Sequence, residues 1–227
     1  MSHILDRSIW HALTTRHAAH AEGHGAARRY APAFATFAAT VDDTPASLHD
    51  LAAILPQGAR AALFTLEPLD FPASLICARR AEAAQMLLDT QIQPPTLPPG
   101  ARPLTAADIP AMLALVEQTH PGPFADRTIE LGRYTGIFEG DTLLAMAGER
   151  IAPPGYVELS AICTHPDARG RGWAGALTLH LAAAAQARGE TPFLHVFADN
   201  APARALYTRL GFTLRRMLHL AVLHPAA

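Results

Sequence analysis

Two rhythms of apolar and polar positions run through this chain, and the switch between them marks its elements. From Tyr156 to Cys163 the period is two: Val157, Leu159 and Ala161 fall on one face, Glu158 and Ser160 on the other, which predicts a strand. From Ala174 to Arg188 the period lengthens. Leu177, Leu181 and Ala184 recur at i, i+4 and i+7, as a helix lying on a sheet requires. Pro192–Phe197 then reads as a further strand. Upstream, Tyr134–Phe138 and Thr142–Ile151 are predicted strands joined by the turn Glu139-Gly140-Asp141. Thr105 to Asp108 can cap a helix reaching Thr119, with Ile109, Met112, Leu113 and Val116 on one face. His120-Pro-Gly-Pro-Phe124 must be a loop.

The first ninety residues are patterned more weakly. A helix is expected over Ile4–Thr15, a strand over Tyr30–Ala39, a short helix capped by Ser47 up to Leu55, and strands over Ala61–Glu67 and Pro72–Ala78. Gln93–Gly100 is half proline and reads as an extended, semi-rigid linker. The chain is therefore expected to divide into an N-terminal accessory domain (1–92), a linker (93–100) and a main domain (101–227).

Composition narrows the chemistry. Half of the 227 residues are hydrophobic, enough for a substantial core. A formal charge of −2 and the lack of a long basic run argue against a nucleic-acid partner. No apolar run approaches the ~20 residues of a membrane span, and the first residues lack a signal-peptide core, so a reducing cytoplasm is the expected location. Cys77 and Cys163 lack metal-site spacing. All 18 basic residues are arginine, which removes lysine Schiff-base chemistry and a P-loop together.

The most informative stretch lies between the central strand and the long helix: Arg169-Gly-Arg-Gly172-Trp-Ala174-Gly175. Glycines let successive backbone N–H groups converge, and a helix start adds unpaired donors and partial positive charge, so the turn is an anion cradle. Gly170, Gly172 and Gly175 also spell the dinucleotide fingerprint. That reading needs its first glycine at the strand end, whereas Thr164–Arg169, with Pro166, intervene, and too little chain follows for a doubly wound sheet. Asp199 after the next strand keeps an NAD-binding alternative open.

Read as Arg169-x-x-Gly172-x-Ala174, the turn resembles the pyrophosphate loop of the GCN5-related N-acetyltransferases (GNAT). Asn200-Ala-Pro-Ala-Arg-Ala-Leu-Tyr207-Thr-Arg-Leu-Gly211-Phe212 resembles that family's second signature, and Arg102–Ile109 resembles its opening strand and helix. The wording Glu158-Leu-Ser-Ala-Ile-Cys-Thr-His-Pro is similar to its FR47-like branch. The resemblance covers about residues 101–223. It implies an α/β fold of the α+β type, the acyl-CoA N-acyltransferase fold: a mixed, mostly antiparallel sheet flanked by helices. Residues 1–92 then read either as a degenerate half-copy of that fold or as a covering layer.

The resemblance also implies the site. Acetyl-CoA would be the cosubstrate, with no metal. Gly170, Gly172, Trp173, Ala174 and Gly175 would offer N–H groups to its pyrophosphate, and Arg169 and Arg171 would add charge. Ile162, Cys163 and Thr164 would pair with pantetheine through their backbone. Asn200 would touch the cofactor, though it is equally suited to N-cap a helix. Tyr207 would be both a cofactor contact and the general acid, since a phenol stays protonated at neutral pH. Glu158 would be the general base beside the acceptor, or else a structural ion pair or part of an exposed strand face, because a lone buried carboxylate is costly. Phe124 would form an apolar wall of the acceptor site.

Twelve histidines add smaller candidates. His17, His20 and His24 would share a helix face, although Gly23 and Gly25 weaken a helix there. His165 could line the cofactor channel, and His195 could face core or cleft. The expected activity is acetyl transfer to a small primary amine by direct attack. The competing reading is a non-catalytic acyl-CoA sensor. A homodimer is left open.

Overall fold

The computed structural model describes residues 3–226. A short 3-10 turn (Ile4–Arg7) leads into helix α1 (Ser8–Leu13). A small antiparallel sheet follows: β1 (Ala21–Glu22), β2 (Ala27–Tyr30) and β3 (Ala38–Thr40). Then come α2 (Pro45–Ile54), β4 (Ala61–Thr65) and β5 (Leu75–Leu87). After the proline-rich stretch the order is β6 (Ala101–Pro103), α3 (Ile109–Thr119), β7 (Tyr134–Glu139), β8 (Thr142–Glu149), β9 (Tyr156–Thr164) and α4 (Trp173–Gln186). The chain closes with β10 (Thr191–Phe197), α5 (Ala201–Arg209) and β11 (Thr213–Pro225).

Eight strands form one sheet in the order β4-β11-β5-β10-β9-β8-β7-β6. Among the described strands of this sheet, β9 and β10 are the one parallel pair; every other neighbour is antiparallel. This is the mixed, mostly antiparallel α+β architecture the sequence motifs lead one to expect.

The expected division at residues 93–100 does not divide the sheet. β5 comes from the first ninety residues, yet it pairs with β10 on one side and with β11 on the other, the latter from Leu75 to Leu87. β4 caps the edge against β11. Residues 1–92 thus complete the sheet as well as cover it.

Helices α4 and α5 pack on one face, where Leu177, Leu181, Tyr207 and Phe212 meet Ala84, Leu159, Leu194 and Val196. On the other face the N-terminal segment buries Leu5, Ile9 and Phe37 against Phe193 and Leu220. α3 covers Tyr134, Met146 and Cys163 on that same side.

Several local expectations shift. Tyr30–Ala39 is split into the ends of β2 and β3. α2 is capped one turn earlier than expected: Thr44 precedes Pro45, and its Oγ1 accepts from the Ser47 N–H at 3.3 Å. β5 is much longer than Pro72–Ala78, because Ala78-Arg-Arg-Ala-Glu-Ala-Ala-Gln85 carries helix-favouring residues and becomes a strand only between two partners.

Candidate functional site

β9 and β10 are registered at only three positions, Tyr156 with Thr191, Val157 with Pro192 and Glu158 with Phe193. Beyond Glu158 they part. β9 stays bonded to β8 but shifts register between Met146 and Gly148, and Ala161 there takes φ 51, a left-handed conformation rare for a residue with a Cβ. The bulge bends β9 away and β10 stays with β5. The opening belongs to a cleft of about 1130 Å³.

At one rim lies the glycine turn. Gly170 and Gly172 have φ 80 and 76, and a Cβ at either would meet open space, so glycine serves the backbone turn and a close approach from outside. Gly172 opens α4 without a capping side chain, which leaves the first-turn N–H groups of this 14-residue helix to an external acceptor. Gly175 differs: an added Cβ would lie 3.4 Å from Leu210, the residue that ends α5, and 3.8 Å from Leu206 within it, so Gly175 sets the spacing of two helices. Arg169 is exposed, with no carboxylate within 4.0 Å among the described residues. Arg171 pairs with Glu139 and lies 4.9 Å over the Trp173 ring.

Ile162, Cys163 and Thr164 line the cleft along the unpaired edge of β9. The Thr164 hydroxyl is buried and lacks a protein partner, a polar atom ready for a bound molecule. Cys163 is buried, which pushes its thiol up to about 11. Asn200 lines the cleft and also caps α5, its Oδ1 accepting from the Ala203 N–H at 3.2 Å. Tyr207 reaches the cleft from α5, 8% exposed, its ring edge-on to Phe212. Burial, and secondarily the Cys163 thiol, push its phenol up to about 12, so it stays protonated.

Glu158 stands differently from the sequence expectation of a free base. It is fully buried, and its carboxylate accepts from Arg150 Nε at 2.9 Å and Nη2 at 3.0 Å, and from His195 Nδ1 at 2.8 Å. Burial alone would raise its carboxyl. The Arg150 charge and the His195 and Arg150 hydrogen bonds outweigh burial and hold it at about 2. A carboxylate so engaged accepts no proton from an amine near neutral pH; of the roles the sequence allowed, the ion pair fits the geometry.

His195 Nε2 lies 3.0 Å from Gln85 Nε2. That amide is oriented by donating to the Leu5 carbonyl at 3.0 Å and by Gln85 Oε1 accepting from Arg215 at 2.7 Å. Gln85 therefore donates to the ring, and Nδ1–H donates to Glu158. Both ring nitrogens are occupied.

Phe124 is corrected outright. It does not line the cleft but packs edge-on against Tyr134 beside α3; His120–Pro123 line the cleft instead. The reason is local. His120, at φ 47, ends α3 in the left-handed conformation, and the following prolines return the chain so that Phe124 joins the core. His165 caps the short turn after β9 by accepting from the Asp167 N–H and does not reach the cleft. His17 is buried with Nδ1 2.8 Å from the Tyr30 hydroxyl, and His17, His20 and His24 share no helix. Among the described residues no group of three or more His, Cys, Asp or Glu is arranged to hold a metal, and no helix is long and apolar enough to cross a membrane.

The sequence did not reveal the opposite wall. Thr36, Phe37, Arg60, Phe64 and Arg79 line it from the N-terminal segment, with Arg150 behind them, its guanidinium 4.6 Å over Phe37. Only the strand register brings them together, and no local motif announces it.

Comparison with known proteins agrees with this geometry. Residues 134–219 match the family described as FR47-like protein. A protein from Novosphingobium aromaticivorans assigned to the GNAT acetyltransferase family superposes with a TM-score of 0.91 at 36% identity, covering 100% of both chains. A GCN5-related N-acetyltransferase-like protein from Streptococcus suis (TM-score 0.62, 14% identity, 96% and 93% covered) shares the fold. So does a GCN5-related N-acetyltransferase from Kribbella flavida (0.60, 15%, 95% of each). No curated protein matches the sequence.

Proposed function

The chain belongs to the GNAT family of acetyltransferases, and from that premise we propose that it moves an acetyl group from acetyl-CoA to the primary amine of a small molecule by direct attack. The observation that carries this reading is the parted β9–β10 pair, with an open glycine cradle at its rim and a protonated phenol inside.

The residues present fit the cosubstrate. The unfilled space at Gly170 and Gly172, the uncapped start of α4 and the unpartnered Thr164 hydroxyl all await a polar occupant. Bound acetyl-CoA supplies an activated thioester. The N–H groups of Gly172, Trp173, Ala174 and Gly175 are suited to bind pyrophosphate, and Arg169 to balance its charge. Ile162–Thr164 offer backbone groups that β10 leaves unpaired, suited to an extended chain lying in the split. Tyr207 holds a proton on Oη for a departing thiolate.

Glu158 is a positioning residue in this reading. It fixes Arg150 and His195 at the cleft wall, and the amine surrenders its proton to water. The same engaged carboxylate is what favours the competing reading, an acyl-CoA binder that performs no transfer, because one of two catalytic candidates is already spent. Tyr207→Phe separates them. We expect kcat to fall by about a hundredfold, within the usual range for a lost general acid, with acetyl-CoA affinity unchanged. Unchanged turnover would remove Tyr207 from the mechanism, and no acetyl-CoA-dependent release of free thiol with any amine would favour the binder.

A further inference from the structure

We propose that the acceptor is an anionic amine, a small molecule with a carboxylate beside the reacting amine, and that Arg60 and Arg79 hold the carboxylate. This rests on the function proposed above and names the substrate class for the same cleft. Six arginines and no aspartate or glutamate are among the described residues lining the cleft. Three of them, Arg169, Arg171 and Arg209, belong to the cradle and to α5. Arg150 is spent on Glu158. That leaves Arg60 and Arg79.

These two share the wall across β10 from the cradle. Arg79 of β5 is in register with Val222 of β11, which is in register with Ala62 of β4, two residues after Arg60. Arg79 lies 5.2 Å over the Phe197 ring at the end of β10. Among the described residues neither guanidinium has a carboxylate within 4.0 Å, and both are exposed. Glu158 cannot serve them, since both its oxygens are engaged.

The charge balance selects the ligand. A polyamine or a simple cationic amine would enter a cleft with unbalanced positive charge and no free carboxylate to receive it. A carboxylate matches the guanidinium fork and can be held by two N–H donors at once. The same arginines also solve a chemical problem. Positive charge close to an amine lowers its pKa and raises the fraction present as the neutral nucleophile. A site without a free general base needs that help.

The test compares matched acceptors at saturating acetyl-CoA: glycine with glycinamide, β-alanine with β-alaninamide, phenylalanine with phenylalaninamide, and spermidine as a cationic probe. We expect at least one acid to exceed its amide about tenfold or more in kcat/KM, with spermidine inert. In Arg60→Gln/Arg79→Gln the ratio should shrink to within about twofold, through a raised acceptor KM, while acetyl-CoA affinity and the thermal midpoint stay as in the parent. The proposal is overturned if amides or spermidine equal the acids, if no acid is acetylated, or if the double variant instead weakens acetyl-CoA binding. Failure of the parent protein to bind acetyl-CoA would overturn the function itself and this inference with it. Acetyl-CoA binding with the wrong acceptor preference would overturn this inference alone.

Discussion

The two walls of the cleft are made in opposite ways. The cradle wall comes from one short segment of chain, Ile162–Thr164 and Ala168–Gly175, and most of its binding groups are backbone N–H donors shaped by glycine conformation. The facing wall is gathered from Thr36, Arg60, Phe64, Arg79 and Arg150, which belong to separate elements and offer side chains. The backbone part of such a phosphate contact depends on spacing and glycine conformation rather than on side-chain identity, and only the two arginines add side-chain charge to it. A specificity wall built from side chains on a shared sheet can be altered one residue at a time. The donor of this protein is therefore easier to infer than its acceptor.

The two walls meet at a buried ion pair. Arg150 pairs with buried Glu158 and lies over Phe37, so Arg150→Ala leaves an uncompensated carboxylate inside the protein. We expect a loss of about 3–5 kcal/mol in denaturant unfolding, largely recovered in Arg150→Met/Glu158→Leu, where no charge remains. Equal stability of Arg150→Ala and the parent would mean the pair holds nothing together.

Acid should act on the N-terminal side first. Burial, then the charges of His20 and Arg16, pull His17 down to about 4. The unfolded chain therefore binds a proton that the folded chain refuses between about pH 6.5 and 4. Stability from this group is complete above pH 6.5 and is lost as pH falls toward 4, with a slope of at most ~1.4 kcal/mol per pH unit. Each side of the molecule has its own tryptophan, Trp10 on α1 of the N-terminal segment and Trp173 at the cradle. With Trp173→Phe or Trp10→Phe as single-reporter variants, Trp10 emission should change at higher pH than Trp173 emission. In His17→Gln the two should change together. Coincident changes in the parent would show that His17 does not set the acid response of the N-terminal side.

What could be read in the sequence follows the same line. The strand before the cradle, the helix after it and the Asn200–Phe212 helix-and-turn carry their own period, cap and glycines, so they were legible without their neighbours. Tyr207 and the glycine turn could be picked out because their positions are local, and both line the cleft. Glu158 was legible as a residue but not as a role: alternation put it on a sheet face, and only the register of β8 and β10 supplies Arg150 and His195. Phe124 was misplaced because a proline-bounded loop does not show which way its last residue turns. Arg60 and Arg79 could not be found at all. β5 inserts between two strands from more than a hundred residues downstream, and its alanine- and arginine-rich sequence looks more like a helix than like the strand that completes the sheet.

The proposed function requires the cradle to bind acetyl-CoA through its backbone and its arginines. Calorimetric titration of the purified protein with acetyl-CoA, CoA and NAD, repeated on Arg169→Ala/Arg171→Ala, tests it directly. We expect saturable binding of acetyl-CoA and CoA, no binding of NAD, and at least tenfold weaker acetyl-CoA binding in the double variant. Binding of NAD without CoA would contradict it and return Gly170, Gly172 and Gly175 to a dinucleotide role.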